Sequence, residues 1–91
     1  MSQVVVTIKV MPENPEVNLD DLEKKVLEKI GKFAGEGETK VSKEPIGFGL
    51  SSLNVIFVMD EEKGDTKPLE DDISGMEEVA SAEIIDVRKA L

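Results

Sequence analysis

The chain has no cysteine, no histidine, no tyrosine and no tryptophan, and a single arginine, Arg88. Each absence removes a class of chemistry. Without cysteine there are no disulfides, thiolate nucleophiles or thiolate metal ligands; without histidine there is no imidazole base and no imidazole ligand for zinc. The expectation is a protein that is not an enzyme, carries no metal and needs no cofactor. No apolar stretch reaches the roughly 20 residues of a membrane helix, and no basic-then-apolar leader precedes the first strand pattern. A soluble cytoplasmic protein with no membrane partner is expected. Basic charge is scarce as well: Lys+Arg 11 against Asp+Glu 20 gives a formal net charge of −9. That balance argues against direct nucleic-acid binding, which depends on Lys and Arg neutralising phosphates; it is consistent either with steering toward a basic partner or with simply keeping a small domain soluble. No Gly-rich phosphate loop ending in Lys-Ser/Thr is present, so the chain is not expected to bind GTP itself.

What is present fits one small domain over residues 1–91. Val4, Val6, Ile8 and Val10 alternate with Thr7 and Lys9, which predicts a strand from Gln3 to Met11 with one buried face; Pro12 and Pro15 end it. Asn18 is placed as an N-cap, with Asp20 and Asp21 in the first turn where the helix dipole favours negative charge. Leu19, Leu22, Val26, Ile30 and Phe33 recur at helical spacing. Asp20/Lys24, Asp21/Lys25 and Glu28/Lys32 stand an acid four residues before a base, so this helix face reads as solvated rather than as a binding patch.

A turn at 35–38 leads to a strand from Thr39 to about Pro45 and then to the most apolar run, Leu50 to Met59, which suits a central strand. The acidic loop 60–65 lacks calcium-loop spacing and its terminal bidentate Glu. Thr66 or Asp65 is expected to cap a second helix, with Pro68 in its first turn and Leu69, Ile73 and Met76 facing inward. A last strand runs from about Ser81 to Lys89, with Ile85 and Val87 on one face and Ile84 breaking the alternation. The order β-α-β-β-α-β predicts an α+β, ferredoxin-like sandwich: a four-stranded antiparallel sheet with both helices on one face and the first and third strands central. The uncovered face would carry Val5, Thr7, Lys9, Ile56 and Val58, more apolar than a wet face requires.

The segment Pro45-Ile46-Gly47-Phe48-Gly49-Leu50 is the most informative. Glycine tolerates dihedrals other residues avoid, so Gly47 and Gly49 let the backbone bend around Phe48, one of three phenylalanines. Two structures are consistent with it: a packed aromatic beside a β-bulge, or an exposed aromatic anchor at a strand junction. The paired acids Asp71-Asp72 and Glu77-Glu78 are neighbours in sequence pointing different ways, which does not make a catalytic couple.

Taken with Val4-Val5-Val6-Thr7-Ile8-Lys9-Val10-Met11-Pro12 and the Arg88-Lys89 pair, this segment resembles the archaeal elongation factor 1-beta family and, more distantly, the exchange domain of its eukaryotic counterpart. The resemblance covers essentially the whole chain. It implies a guanine-nucleotide exchange factor for elongation factor 1-alpha in translation, monomeric when free. In the family the aromatic between the glycines packs on the G-protein, so Pro45, Ile46, Gly47, Phe48 and Gly49 are the implied partner-binding residues. A lysine just before the end of the eukaryotic chains reaches the G-protein's magnesium and phosphate site, and Lys89 matches it by position. Ala90 and Leu91 follow here and Arg88 is adjacent, so the acting base is Lys89 or Arg88. The reading that does not use the resemblance is a ferredoxin-like regulatory or assembly module that dimerises through its open sheet face or binds a small ligand.

Overall fold

The structure, a computed structural model, describes residues 2–35 and 37–90. Glu36 in the expected turn and Leu91 in the tail lie outside the described residues. The strands are β1 (Gln3–Pro12), β2 (Thr39–Gly47), β3 (Leu50–Asp60) and β4 (Val79–Lys89); the helices are α1 (Leu19–Ala34) and α2 (Lys67–Ser74), with a 3-10 turn at Glu61–Lys63. The sheet order is β2-β3-β1-β4 and every pairing is antiparallel. β1 and β3 are central, as their apolar runs predict.

Period-two patterning decides which sheet face is buried. Val4, Val6, Ile8 and Val10 of β1 and Leu53, Val55, Phe57 and Met59 of β3 join Leu22, Val26 and Ile30 of α1 and Leu69 and Ile73 of α2 in one core. Each such side chain taken from water contributes about 1.5–3 kcal/mol. Leu19 and Phe33 are only half-buried at the margin. α1 begins where Asn18 Oδ1 accepts the Asp21 N–H at 3.1 Å, and ends at Gly35, whose φ of 82° suits glycine. At the start of α2 the acceptor is Asp65, whose Oδ1 takes the Lys67 N–H at 2.9 Å; Thr66 makes no side-chain cap. Gly75 closes this helix at once, which leaves Met76 beyond it.

Two sequence expectations give way to tertiary pairing. Of the three acid–base pairs expected along α1, only Glu28–Lys32 forms, at 3.5 Å. Lys25 instead bonds Glu78, and Asp20 bonds Lys43 of β2 at 2.6 Å, because partners on other elements lie nearer than the next helical turn. On β4 a register shift between Thr7 and Ile8 of β1 leaves Ile85 as the extra residue between Ile84 and Asp86. Ile84 and Val87 therefore share the helix-facing side, opposite Ile8 and Val6, whereas simple alternation places Ile85 and Val87 together. Beside the bulge, Glu70 Oε2 of α2 accepts the Ile84 N–H at 2.8 Å.

Candidate functional site

The β2–β3 hairpin closes with Gly47 opposite Leu50, so its loop is only Phe48 and Gly49. Both have positive φ, 56° for Phe48 and 76° for Gly49, the signature of a type I′ turn whose twist matches the strands it joins. Glycine accepts that region without a steric penalty; phenylalanine does not, and a left-handed conformation costs a residue with a Cβ about 1–2 kcal/mol. Gly47, at φ 101°, prepares the reversal, and Ile46 is the residue skipped where the register shifts between Pro45 and Gly47. Phe48 itself is 98% exposed. Of the two structures open from sequence, the exposed aromatic is the one observed. Pro45 is exposed and Ile46 half-buried on the same hairpin arm.

The basic pair stands at the opposite end of the sheet. Lys89 lies across from Val4 and Arg88 across from Val5, so they project from opposite faces: Lys89 with the helices, Arg88 on the open side. The strand does not fray here, because the Ala90 N–H donates to the Gln3 carbonyl at 2.9 Å. Arg88 Nε bonds Asp86 Oδ2 at 2.9 Å, while Lys89 takes part in no ion pair among the described residues. Next to Lys89, Val4, Val6, Met59 and Val87 floor a shallow depression rimmed by Glu61, Asp65 and Thr66. Val87 is 54% exposed there. Sequence reasoning missed this depression because its floor is chosen by the bulge at Ile85, which alternation alone does not reveal.

The two candidate elements are not brought together. Lys89 is level with Val4, Leu53 with Val10, and Leu50 lies three residues further along β3. About nine residue steps of about 3.3 Å put the hairpin tip about 30 Å from Lys89 along the strands. That is most of the molecule's 42 Å long axis. Any partner that touches both must meet them at separate places.

Electrostatics around the hairpin are set by its stem. Lys43 hydrogen-bonds Asp20 and holds its carboxyl below the ordinary carboxylate range; Asp20 in turn pushes the Lys43 ammonium up. The Lys25–Glu78 bond does the same across α1 and the start of β4, lowering Glu78 and raising Lys25. Among the described residues no group of three or more Asp or Glu is arranged to hold a metal, and no helix is long and apolar enough to cross a membrane.

Comparison with known proteins bears on the fold and the family. A de novo designed protein, Foldit4, superposes with a TM-score of 0.62 over 98% of this chain and 97% of its own, at 21% identity; that likeness concerns the fold alone. Elongation factor 1-beta of Methanothermobacter thermautotrophicus is 44% identical over the full length of both chains, and that of Methanosphaera stadtmanae is 40% identical, again over both full lengths. The family model for the EF-1 guanine nucleotide exchange domain matches residues 5–90. The chain belongs to the EF-1 guanine nucleotide exchange domain family and has its role in translation elongation.

Proposed function

We propose that this protein, a monomer when free, accelerates GDP release from elongation factor 1-alpha by engaging it at two places, with Phe48 as the anchor and Lys89 as the working cation. The observation that carries the proposal is Phe48: 98% exposed and held at φ 56°. Strain at an exposed aromatic has no packing return inside the fold, and such strain characteristically sits at binding sites. Exposed aromatics are also the residues that dominate interface energetics.

A G-protein holds its nucleotide through phosphate-cradling backbone N–H groups and a magnesium ion. An exchange factor must bind the nucleotide-free form better than the loaded one, and by linkage the affinity it gains is the affinity the nucleotide loses. Lys89 supplies a positive charge that opposes the magnesium by like-charge repulsion. Phe48, about 30 Å away, supplies binding energy that does not depend on the nucleotide site. Lys89 is favoured over Arg88 because Arg88 is already bonded to Asp86 and faces the other side of the sheet. Pro45, Ile46, Gly47 and Gly49 shape the tip that presents Phe48.

The test is release of fluorescent GDP from elongation factor 1-alpha over a magnesium series. The proposal expects acceleration that falls as magnesium rises, and size-exclusion chromatography showing a monomer that joins its partner on mixing. Acceleration indifferent to magnesium would remove the cation mechanism.

A further inference from the structure

We propose that Pro15 and the Asp20–Lys43 ion pair are positioning residues that hold the hairpin tip, and with it Phe48, in one orientation; this rests on the reading of Phe48 as the partner anchor. At 98% exposure the Phe48 ring is not held by packing of its own. Nothing lies within 4 Å of where a Cβ would stand on Gly47, but at Gly49 that place is met by the Pro15 ring, with Cβ at 3.7 Å and Cγ at 3.9 Å. The tip thus lies beside the connection between β1 and α1, near enough that a side chain at position 49 would touch the Pro15 ring.

That connection is itself fixed. The Glu13 N–H donates to the Glu78 carbonyl at 2.7 Å, and the Val17 N–H to the Asn14 carbonyl at 3.3 Å. Asn14 Oδ1 also accepts the Glu16 N–H at 2.9 Å, which encloses Pro15 in a hydrogen-bonded turn. Lower on the hairpin, Lys43 Nζ reaches Asp20 Oδ1 at 2.6 Å, in the first turn of α1. Two braces therefore reach the hairpin, one from the β1–α1 connection to the tip and one from the first turn of α1 to the stem.

The hairpin needs them. β2 is an edge strand on which only Val41 and Ile46 are even half-buried, so core packing restrains it weakly. An exposed ion pair such as Asp20–Lys43 adds little to overall stability, and its consequence is angular. An anchor about 30 Å from the other contact turns a small rotation of the stem into a large displacement of the ring. Fixing the tip beforehand removes the ordering cost of binding.

The test compares the free protein, the Pro15→Gly/Lys43→Ala variant, Lys43→Ala alone, and the charge swap Asp20→Lys/Lys43→Asp. Backbone ¹⁵N order parameters at 47–49 should fall from about 0.85 toward about 0.6 in the first two variants, with melting temperature nearly unchanged, and should recover in the swap. Affinity for nucleotide-free elongation factor 1-alpha should weaken by roughly three- to tenfold, the scale of an ordering cost. In a Phe48→Ala background the same substitutions should leave that affinity unchanged. Unchanged tip order overturns the proposal, as does a swap that fails to restore it. Equal weakening in the Phe48→Ala background also overturns it, since Pro15 or Lys43 would then touch the partner directly. If the unaltered protein fails to bind elongation factor 1-alpha, the exchange reading falls, and the order parameters alone decide whether the braces hold the tip.

Discussion

Arg88 Nε stands 2.9 Å from Asp86 Oδ2, two residues back along β4 and on the same open face of the sheet. Lys89, one residue on, is turned to the helix side opposite Val4. Two bases adjacent in sequence are thus separated by the sheet itself, one already paired and the other in no ion pair among the described residues. Lys89→Ala should slow stimulated GDP release by roughly tenfold, the scale of losing one contact of about 1.4 kcal/mol in the transition state. Arg88→Ala should change it by less than about twofold, because breaking an exposed pair alters little. Stopped-flow release measured with both variants separates the two roles.

Phe48 carries strain that a different residue would relieve. Phe48→Asn gives the Asn-Gly pair that type I′ turns favour and should stabilise the fold by roughly 1 kcal/mol, read as a raised denaturation midpoint. The same substitution should weaken binding to elongation factor 1-alpha by about 2 kcal/mol or more, as truncating an interface anchor does. Opposite signs for stability and affinity identify a residue kept for contact rather than for folding.

Phe57 supplies the contrast on the same hairpin. It is 1% exposed in the core, so Phe57→Ala should cost about 3–5 kcal/mol of stability. Partner affinity per folded molecule should stay near that of the unaltered protein. Chemical denaturation followed by binding at matched folded fractions checks both.

Most of the architecture was legible because burial enforces it. The alternation of Val4 through Val10 and the spacing of Leu22, Val26 and Ile30 each have one solution that hides the apolar side, and Asn18 declares the start of α1. What was not legible depends on partners remote in sequence. Lys25 and Asp20 looked like members of local helical pairs, and only the fold shows Glu78 and Lys43 nearer. The face of Val87 hinges on one bulged residue, Ile85, which a period-two reading cannot locate. For Phe48 the two glycines announced a bend; whether the ring turned inward or outward rested on the loop having only two residues.

Both acid and alkali should weaken the Asp20–Lys43 and Lys25–Glu78 ion pairs. Asp20 and Glu78 have pKa values lowered by hydrogen bonds from Lys43 and Lys25. Their contribution is therefore complete above the unfolded values and is lost as pH falls through the lower folded ones. Lys43 and Lys25 are raised by the same partners, so their contribution is complete below about 10 and is lost only as pH rises beyond that range. Because both pairs are exposed, the resulting change in melting temperature should be small, with a slight decline below about pH 4 and little change from about pH 5 to about pH 9. Substituting Lys43 and Lys25 by methionine should make the acid decline shallower.

The central claim is that Phe48 and Lys89 act at separate places on one G-protein, the first for binding and the second for release. Its most direct measurement is the release rate of fluorescent GDP from elongation factor 1-alpha as a function of exchange-factor concentration, for the unaltered protein, Phe48→Ala and Lys89→Ala. Phe48→Ala should raise the concentration needed for half-maximal stimulation and leave the maximal rate near that of the unaltered protein. Lys89→Ala should lower the maximal rate with little change in that concentration. A maximal rate unchanged by Lys89→Ala, or a half-maximal concentration unchanged by Phe48→Ala, would contradict the account.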